Sequence, residues 1–207
     1  MTEAALKTRQ GKFRDPDRTA SGEARAVVPL QALRTLWINT GSLCNIECRN
    51  CYIESSPEND RLVYMTRAEV ASFLDEIARE GLPTREIGFT GGEPFMNPDI
   101  LAMLGDALSH GHSVLVLTNA MQPMQRPKTQ RGLIGLRERF AGRLKLRVSL
   151  DHYSQALHEA ERGVRTWAKT MAAQQPSFHD GIDEALIAHT LTVIDSVLEP
   201  IHAKPKR

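Results

Sequence analysis

Three cysteines, the only ones in this chain of 207 residues, lie close together at Cys44, Cys48 and Cys51. A disulfide would use two of these thiols and leave one over. Three thiolates at C-x3-C-x2-C spacing can instead hold three irons of an iron-sulfur cube and leave the fourth iron open to another ligand. The spacing therefore predicts a metal centre with one reactive position.

Zinc is the main alternative, because tetrahedral zinc sites also use C-x2-C pairs. Zinc normally takes a fourth protein ligand, however, and the seven histidines of the chain are scattered, with none paired at ligand spacing. The iron-sulfur interpretation is favoured on these grounds. A zinc-binding interaction module stays open as the alternative.

Other chemically unusual residues follow predicted strands. Gly91, Gly92 and Glu93 come directly after the second strand, Asn119 after the third, and Ser149 with Asp151 at the end of the fourth. The carboxyl ends of parallel strands meet at one rim of a sheet, so we expect these residues and the cysteines to converge there. Purely structural roles are open for the glycines as a tight turn, and for Asn119 and Asp151 as local backbone caps.

The elements that must position these residues follow an alternating pattern. Apolar runs of strand length alternate with segments of helical period, which predicts a parallel α/β sheet with crossover helices. The predicted strands are Thr35–Asn39, Glu86–Phe89, Ser113–Leu117 and Leu144–Leu150.

Helices are predicted between and after the strands. The first, Arg67 to Glu80, has a capping box formed by Thr66 and Glu69. The second has Asn97 as its cap and ends at Gly111. The remaining helices are predicted near residues 131–140, 165–173 and 182–198.

Composition divides the chain into three parts and limits its partners. Residues 1–26 predict a flexible lead-in, 27–174 the folded core, and 175–207 a divergent helix with a basic tail. Lys plus Arg number 26 against 25 for Asp plus Glu, which argues against nucleic acid or an anionic membrane as partner. No run approaches the roughly 20 apolar residues of a membrane span, so a cytoplasmic, reducing location is expected.

Two motifs together resemble a known family. The cysteine cluster with Tyr52 directly after its third cysteine, and Gly-Gly-Glu-Pro after the second strand, resemble the radical S-adenosylmethionine (radical SAM) enzymes over roughly residues 36–172. The resemblance implies a (β/α) TIM-type barrel, here partial, with about four units. It also implies a 4Fe-4S cluster that splits SAM to a 5'-deoxyadenosyl radical, which abstracts hydrogen from a substrate.

The resemblance also assigns roles to residues. Cys44, Cys48 and Cys51 would ligate the cluster, and the amino and carboxylate groups of SAM would bind the fourth iron. Tyr52 would lie near the adenine, and the glycine motif would meet the SAM amino group. The implied cofactor-binding residues are Tyr52, Gly91, Gly92, Glu93, Asn119, Ser149, Asp151 and Arg162.

The chain departs from the family in length. A complete family core has six β/α units, and only about four are predicted here, which indicates a shortened relative or a half barrel completed by a partner chain. The exposed sheet edge predicts poor shielding and low turnover of the chain alone, so a catalytically inactive iron-sulfur remnant is an alternative. The implied partners are a small-molecule or peptide substrate, not identified by the sequence, and an electron donor such as flavodoxin or ferredoxin.

Overall fold

The computed structural model describes residues 15–172. Residues 1–14 and 173–207 lie outside this range, and with them most of the predicted lead-in, the predicted helix at 182–198 and the basic tail. Residues 15–31 belong to a small unit of their own. In it the Asp15 carboxylate accepts hydrogen bonds from the backbone N–H groups of Asp17 and Arg18, and Arg18 bridges to Ala24 in antiparallel fashion.

The larger unit contains a parallel sheet of four strands in the order β1-β2-β3-β4. The strands are β1 Thr35–Asn39, β2 Glu86–Thr90, β3 Ser113–Thr118 and β4 Leu144–Val148. Each neighbour in space is also the next strand in sequence, as in a β/α barrel. The predicted partial barrel of four β/α units is confirmed.

Six helices and one 3-10 turn, at Pro94–Met96, accompany the sheet in the described residues. The helices are α1 Arg67–Arg79, α2 Ile100–Ser109, α3 Gln122–Gln125, α4 Pro127–Phe140, α5 Gln155–Arg162 and α6 Thr166–Ala172. Within the described part, none of them has the length and apolar character needed to cross a membrane.

The core lies on one face of the sheet. Alternate strand residues such as Ile38, Phe89, Val116 and Leu146 point to that face and pack with apolar residues of α1, α2 and α4. Helix α1 begins as predicted, with Thr66 and Glu69 bonded reciprocally in a capping box. The opposite face of the sheet, called the inner face below, carries the intervening strand residues.

Some predicted boundaries were wrong. Helix α2 begins at Ile100, two residues later than predicted. Asn97 Oδ1 accepts from the Asp99 N–H at 2.9 Å, as a cap would, and the NH2 group of Asn97 donates to the carbonyls of Thr40 and Met65. Helix α4 begins at Pro127, a residue suited to the first turn because it has no N–H to leave unpaired. Helix α5 was not predicted as an element of its own.

Candidate metal and cofactor site

The loop after β1 carries the three cysteines and is held by backbone contacts at both ends. The Cys44 N–H donates to the Ser56 carbonyl at 3.0 Å, and Leu43 bridges to Ser56 in parallel fashion. Inside the loop, the Cys51 N–H donates to the Cys48 carbonyl at 3.3 Å. These hydrogen bonds make the loop compact, so residues that are far apart along the loop lie close together in space.

The thiols differ in burial. Cys44 is 5% exposed, whereas Cys48 and Cys51 are half-buried. Burial raises the pKa of Cys44 to about 11, and burial also raises the pKa of Cys48. Because the thiolate is the metal-binding form, loading the site requires a positive charge that offsets this cost, and a metal supplies it.

Hydrogen-bond donors are directed at the sulfurs of Cys44 and Cys51. The Ser55 backbone N–H donates to Cys51 Sγ at 3.2 Å, and the Asn119 side-chain amide donates to Cys44 Sγ at 3.7 Å. Asn119 also donates to Asn45 Oδ1 at 2.9 Å, which ties the end of β3 to the cysteine loop. Donors of this kind stabilise negative charge on sulfur and, in metal sites, tune the metal.

All three cysteines line one cavity of about 250 Å³ at the carboxyl ends of the strands. The convergence predicted for that rim is observed for most of the candidate residues. Those that line the cavity are Tyr52, Gly91, Gly92, Asn119, Ser149, Asp151 and Arg162. Glu93 is not among them. Tyr52 is 81% exposed and stands at the cavity rim.

Gly91 and Gly92 bring two loops into backbone contact. Gly92 N–H donates to the Gly41 carbonyl at 2.8 Å, and Glu93 N–H donates to the Leu43 carbonyl at 3.0 Å. A Cβ on Gly92 would collide with the Leu43 carbonyl, and Gly91 has a φ of +143°, which disfavours other residues. The glycines are therefore required for the cysteine loop to lie against the end of β2.

Glu93 points into the protein rather than into the cavity. Its carboxylate is buried and accepts hydrogen bonds from the Phe95 N–H, the Thr118 hydroxyl and the Asn119 N–H. Burial raises the pKa of Glu93 to about 7, although the three hydrogen bonds act in the opposite direction. This side chain joins the end of β2 to the end of β3, directly beneath Asn119.

Asp151 and Arg162 form an ion pair at the cavity wall. The Arg162 guanidinium contacts both carboxylate oxygens, with Nη2 3.2 Å from Oδ1. Arg162 ends helix α5 and Asp151 follows β4, so the pair joins two elements that both border the cavity. The candidate cofactor contacts Asp151 and Arg162 are therefore bound to each other as one ion pair.

Sequence reasoning missed several residues that also line the cavity, among them Glu161 and Asn50. The Glu161 carboxylate accepts from the Asn50 backbone N–H and side-chain amide, and the Glu161 carbonyl accepts from the Arg49 N–H. The last turn of α5 is therefore hydrogen-bonded to the segment between Cys48 and Cys51. The feature of the sequence that could have pointed to Glu161 is its position directly beside Arg162, which was already a candidate site residue.

The donor set at the cavity is one that a cluster can use. Each thiolate of a cubane binds a different iron, whereas the ligands of one zinc all lie about 2.3 Å from the same point. Among residues 15–172, no group of three Cys, His, Asp or Glu side chains is placed to hold one metal ion. The three thiols that line the cavity are the residues that would serve as three separate iron ligands.

The sequence matches the family model described as "Radical SAM superfamily" over residues 38–192. It is 30% identical over 145 residues to the subtilosin biosynthesis protein AlbA of Bacillus subtilis, covering 70% of this chain and 29% of that protein. It is 27% identical over 164 residues to the AdoMet-dependent heme synthase of Methanosarcina barkeri, covering 75% of this chain and 43% of that protein. The chain thus spans less than half the length of either relative.

Solved structures share the fold. Streptococcus suis SuiB bound to the precursor peptide SuiA superposes with a TM-score of 0.58 at 18% identity, covering 73% of this chain and 31% of SuiB. The structure of anSMEcpe with bound AdoMet and the Cp18Cys peptide gives 0.53 at 15% identity, covering 83% of this chain and 48% of that chain. At these identities the likeness establishes the architecture alone.

Proposed function

This chain belongs to the radical SAM superfamily, and on that premise we propose that it binds a 4Fe-4S cluster through Cys44, Cys48 and Cys51 and cleaves S-adenosylmethionine reductively. The observation that carries the proposal is the convergence of the three thiols on one cavity at the carboxyl ends of the strands. When bound, the cluster and SAM would together supply a 5'-deoxyadenosyl radical able to abstract hydrogen from a substrate.

The part of the protein in this chemistry is to hold and orient the cofactors. Cys44 lies deepest, and the N–H groups of Asn119 and Ser55 give the cysteine sulfurs hydrogen bonds that lessen the cost of their negative charge. Gly91 and Gly92 also line the cavity, and they present backbone to it because residues 40–43 occupy the space that their side chains would need. We assign the amino acid end of SAM to this glycine wall.

Glu93 has a different role from the one that the resemblance implies for its side chain. Its carboxylate is already used by three protein donors and does not line the cavity. We therefore propose that Glu93 positions Asn119, while the loop backbone at Gly91 and Gly92 meets SAM. Asp151, Arg162 and Ser149 on the opposite wall are proposed SAM contacts.

A peptide is the proposed substrate class. AlbA takes part in the biosynthesis of a bacteriocin, and SuiB has been solved with a precursor peptide. A flavodoxin or ferredoxin is the proposed electron donor. An inactive iron-sulfur scaffold remains the competing function, and cofactor cleavage separates the two.

The test uses protein purified and reconstituted without oxygen. We expect about four irons and matching sulfide per chain, loss of both in a variant with all three cysteines changed to alanine, and 5'-deoxyadenosine when SAM and a reductant are added. Iron-free protein after reconstitution would refute the cluster assignment. A loaded protein that yields no 5'-deoxyadenosine would identify the inactive scaffold instead.

A further inference from the structure

The inner face of the sheet, opposite the helices, carries rows of side chains set by the strand register, and two of these rows lie nearest the cavity. In parallel strands, residues paired across the sheet point to the same face. The row nearer the cavity is Asn39, Thr90, Leu117 and Arg147. The row beneath it is Trp37, Gly88, Leu115 and Lys145.

The first row is continuous with the cavity. Thr90 and Leu117 line it, and so does Ser149, which follows Arg147 at the next position on the same side of the chain. Neighbouring strands lie about 4.8 Å apart and residues two apart in a strand about 7 Å, so Arg147 is next to the cavity wall. Lys145 lies two residues before Arg147 in β4, farther from the cavity, and is paired with Leu115.

Neither cation has a protein partner in residues 15–172. Lys145 and Arg147 are exposed, and neither makes a hydrogen bond or an ion pair with any described residue. Glu86 is the only acidic residue in the four strands. It pairs with Ser113 in the row below that of Lys145. Its strand, β2, is two strands away from β4, a distance of about 10 Å. The positive charge at this end of the inner face is therefore not neutralised by the sheet.

An exposed tryptophan lies at the far end of the row that contains Lys145. Trp37 packs against Gly88 and stays 46% exposed, whereas Leu115, which lies between Gly88 and Lys145 in that row, is buried. An edge lysine also discourages unwanted strand pairing, but that role does not require a second cation next to the cavity. A wall with two cations at one end and a tryptophan at the other suits a ligand with both anionic and apolar groups.

We infer that Arg147 and Lys145 bind side-chain carboxylates of an acidic peptide substrate and hold it against the inner face, next to the cavity. Arginine suits this role because its planar guanidinium can bind both oxygens of a carboxylate. Trp37 contacts the apolar part of the same segment. This inference rests on the proposed function, since it names the substrate chemistry of the same site.

The test compares two labelled peptides, one of alternating glutamate and alanine and its glutamine counterpart, by fluorescence anisotropy. We expect the wild-type chain to prefer the glutamate peptide, and the double variant Lys145→Gln, Arg147→Gln to bind it about tenfold more weakly, as for loss of a charge-assisted contact. The matched control is Lys128→Gln with Arg131→Gln, two exposed cations of helix α4 that make no ion pair or hydrogen bond with any described residue. It removes the same charge and should keep the preference.

Carbodiimide cross-linking gives a second measurement that does not depend on a variant. We expect the glutamate peptide to be joined to Lys145 in preference to Lys128 and Lys169. Equal binding of the two peptides by wild type, equal loss in the control variant, or cross-links spread evenly over these lysines would each overturn the inference.

Iron content and SAM binding are measured for every variant, and peptide binding is measured both with and without the cluster. A chain that loads no cluster yet prefers the glutamate peptide contradicts the proposed function alone. A loaded chain without the preference contradicts the inference alone.

Discussion

The carboxylate of Glu161 holds Asn50 between two of the three cysteines, accepting hydrogen bonds from its backbone N–H and from its side-chain amide, each at 2.7 Å. The two residues are 111 positions apart in the chain. A carboxylate in the last turn of a helix opposes the helix dipole, so the helix itself gains nothing from Glu161. The presence of a carboxylate at position 161 is explained instead by its hydrogen bonds to the cysteine loop, which it restrains.

Changing Glu161 to alanine should loosen the cysteine loop with little effect on overall stability. The lost hydrogen bonds and the relieved dipole repulsion act in opposite directions, so the free energy of unfolding should change by less than about 1 kcal/mol. Hydrogen exchange at the Asn50 amide should become faster. The control Glu138→Ala, at an exposed position of α4, should leave that exchange rate unchanged. Unchanged exchange in Glu161→Ala would show that the carboxylate does not restrain the loop.

Gly92→Ala should destabilise the protein, because the added Cβ would collide with the backbone of Leu43 and Ser42. Backbone cannot move aside as a side chain can, so we expect a loss of about 1–3 kcal/mol or more. The matched control is Gly135→Ala within α4, where a Cβ meets nothing within 4 Å and the change should stabilise by about 0.5–1 kcal/mol. Urea unfolding measures both. Equal midpoints for the two variants would contradict the close approach of the loops.

Glu93 should make stability depend on pH. Its pKa is raised from 4.5 to about 7 in the folded protein, so the folded state holds its proton more tightly than the unfolded state. Stability contributed by this group is therefore present below about pH 4.5 and is lost as the pH rises through 7. The loss should be on the order of 3 kcal/mol.

The variant Glu93→Gln tests this dependence. A glutamine cannot accept from all three donors, because its NH2 group must face one of them, so we expect it to be less stable than wild type by about 1–3 kcal/mol at pH 5. The difference should shrink or reverse at pH 8, where wild type carries the buried charge. Urea unfolding at both pH values provides the comparison. A difference that is constant with pH would mean that Glu93 does not titrate in this range.

Asp151 and Arg162 should affect SAM binding as one unit. In a double-mutant cycle with Asp151→Asn and Arg162→Gln, we expect a coupling energy of at least about 0.5 kcal/mol in SAM affinity, because either change breaks the same ion pair. Calorimetry on the cluster-loaded protein measures it.

The Arg67 and Asp106 pair provides the control for that cycle. Its guanidinium also contacts both carboxylate oxygens, at 2.7 and 2.8 Å, but it joins α1 to α2 and does not line the cavity. The cycle Arg67→Gln with Asp106→Asn should leave SAM affinity unchanged. Additive effects at Asp151 and Arg162 would remove the basis for treating them as one unit.

Much of the fold and part of the site could be read from the sequence because the signals are local. The capping box of Thr66 and Glu69 spans three residues, and the strands were predicted to within two residues at each end. The start of α2 was predicted two residues early, although Asn97 does accept from the Asp99 N–H as a cap would. The bonds from the Asn97 NH2 group to Thr40 and Met65 were not predicted, because these partners are distant in sequence.

The sequence by itself determined which residues are the candidates for the chemistry: three thiols at cluster spacing, a glycine pair after a strand, and polar residues at later strand ends. Only the tertiary structure decided how they are used. It turned Glu93 inward, placed Glu161 on Asn50, and aligned Arg147 with Leu117 on the inner face. The physical reason is range: spacing and periodicity act over a few residues, whereas side-chain partners depend on which segments the completed sheet brings together.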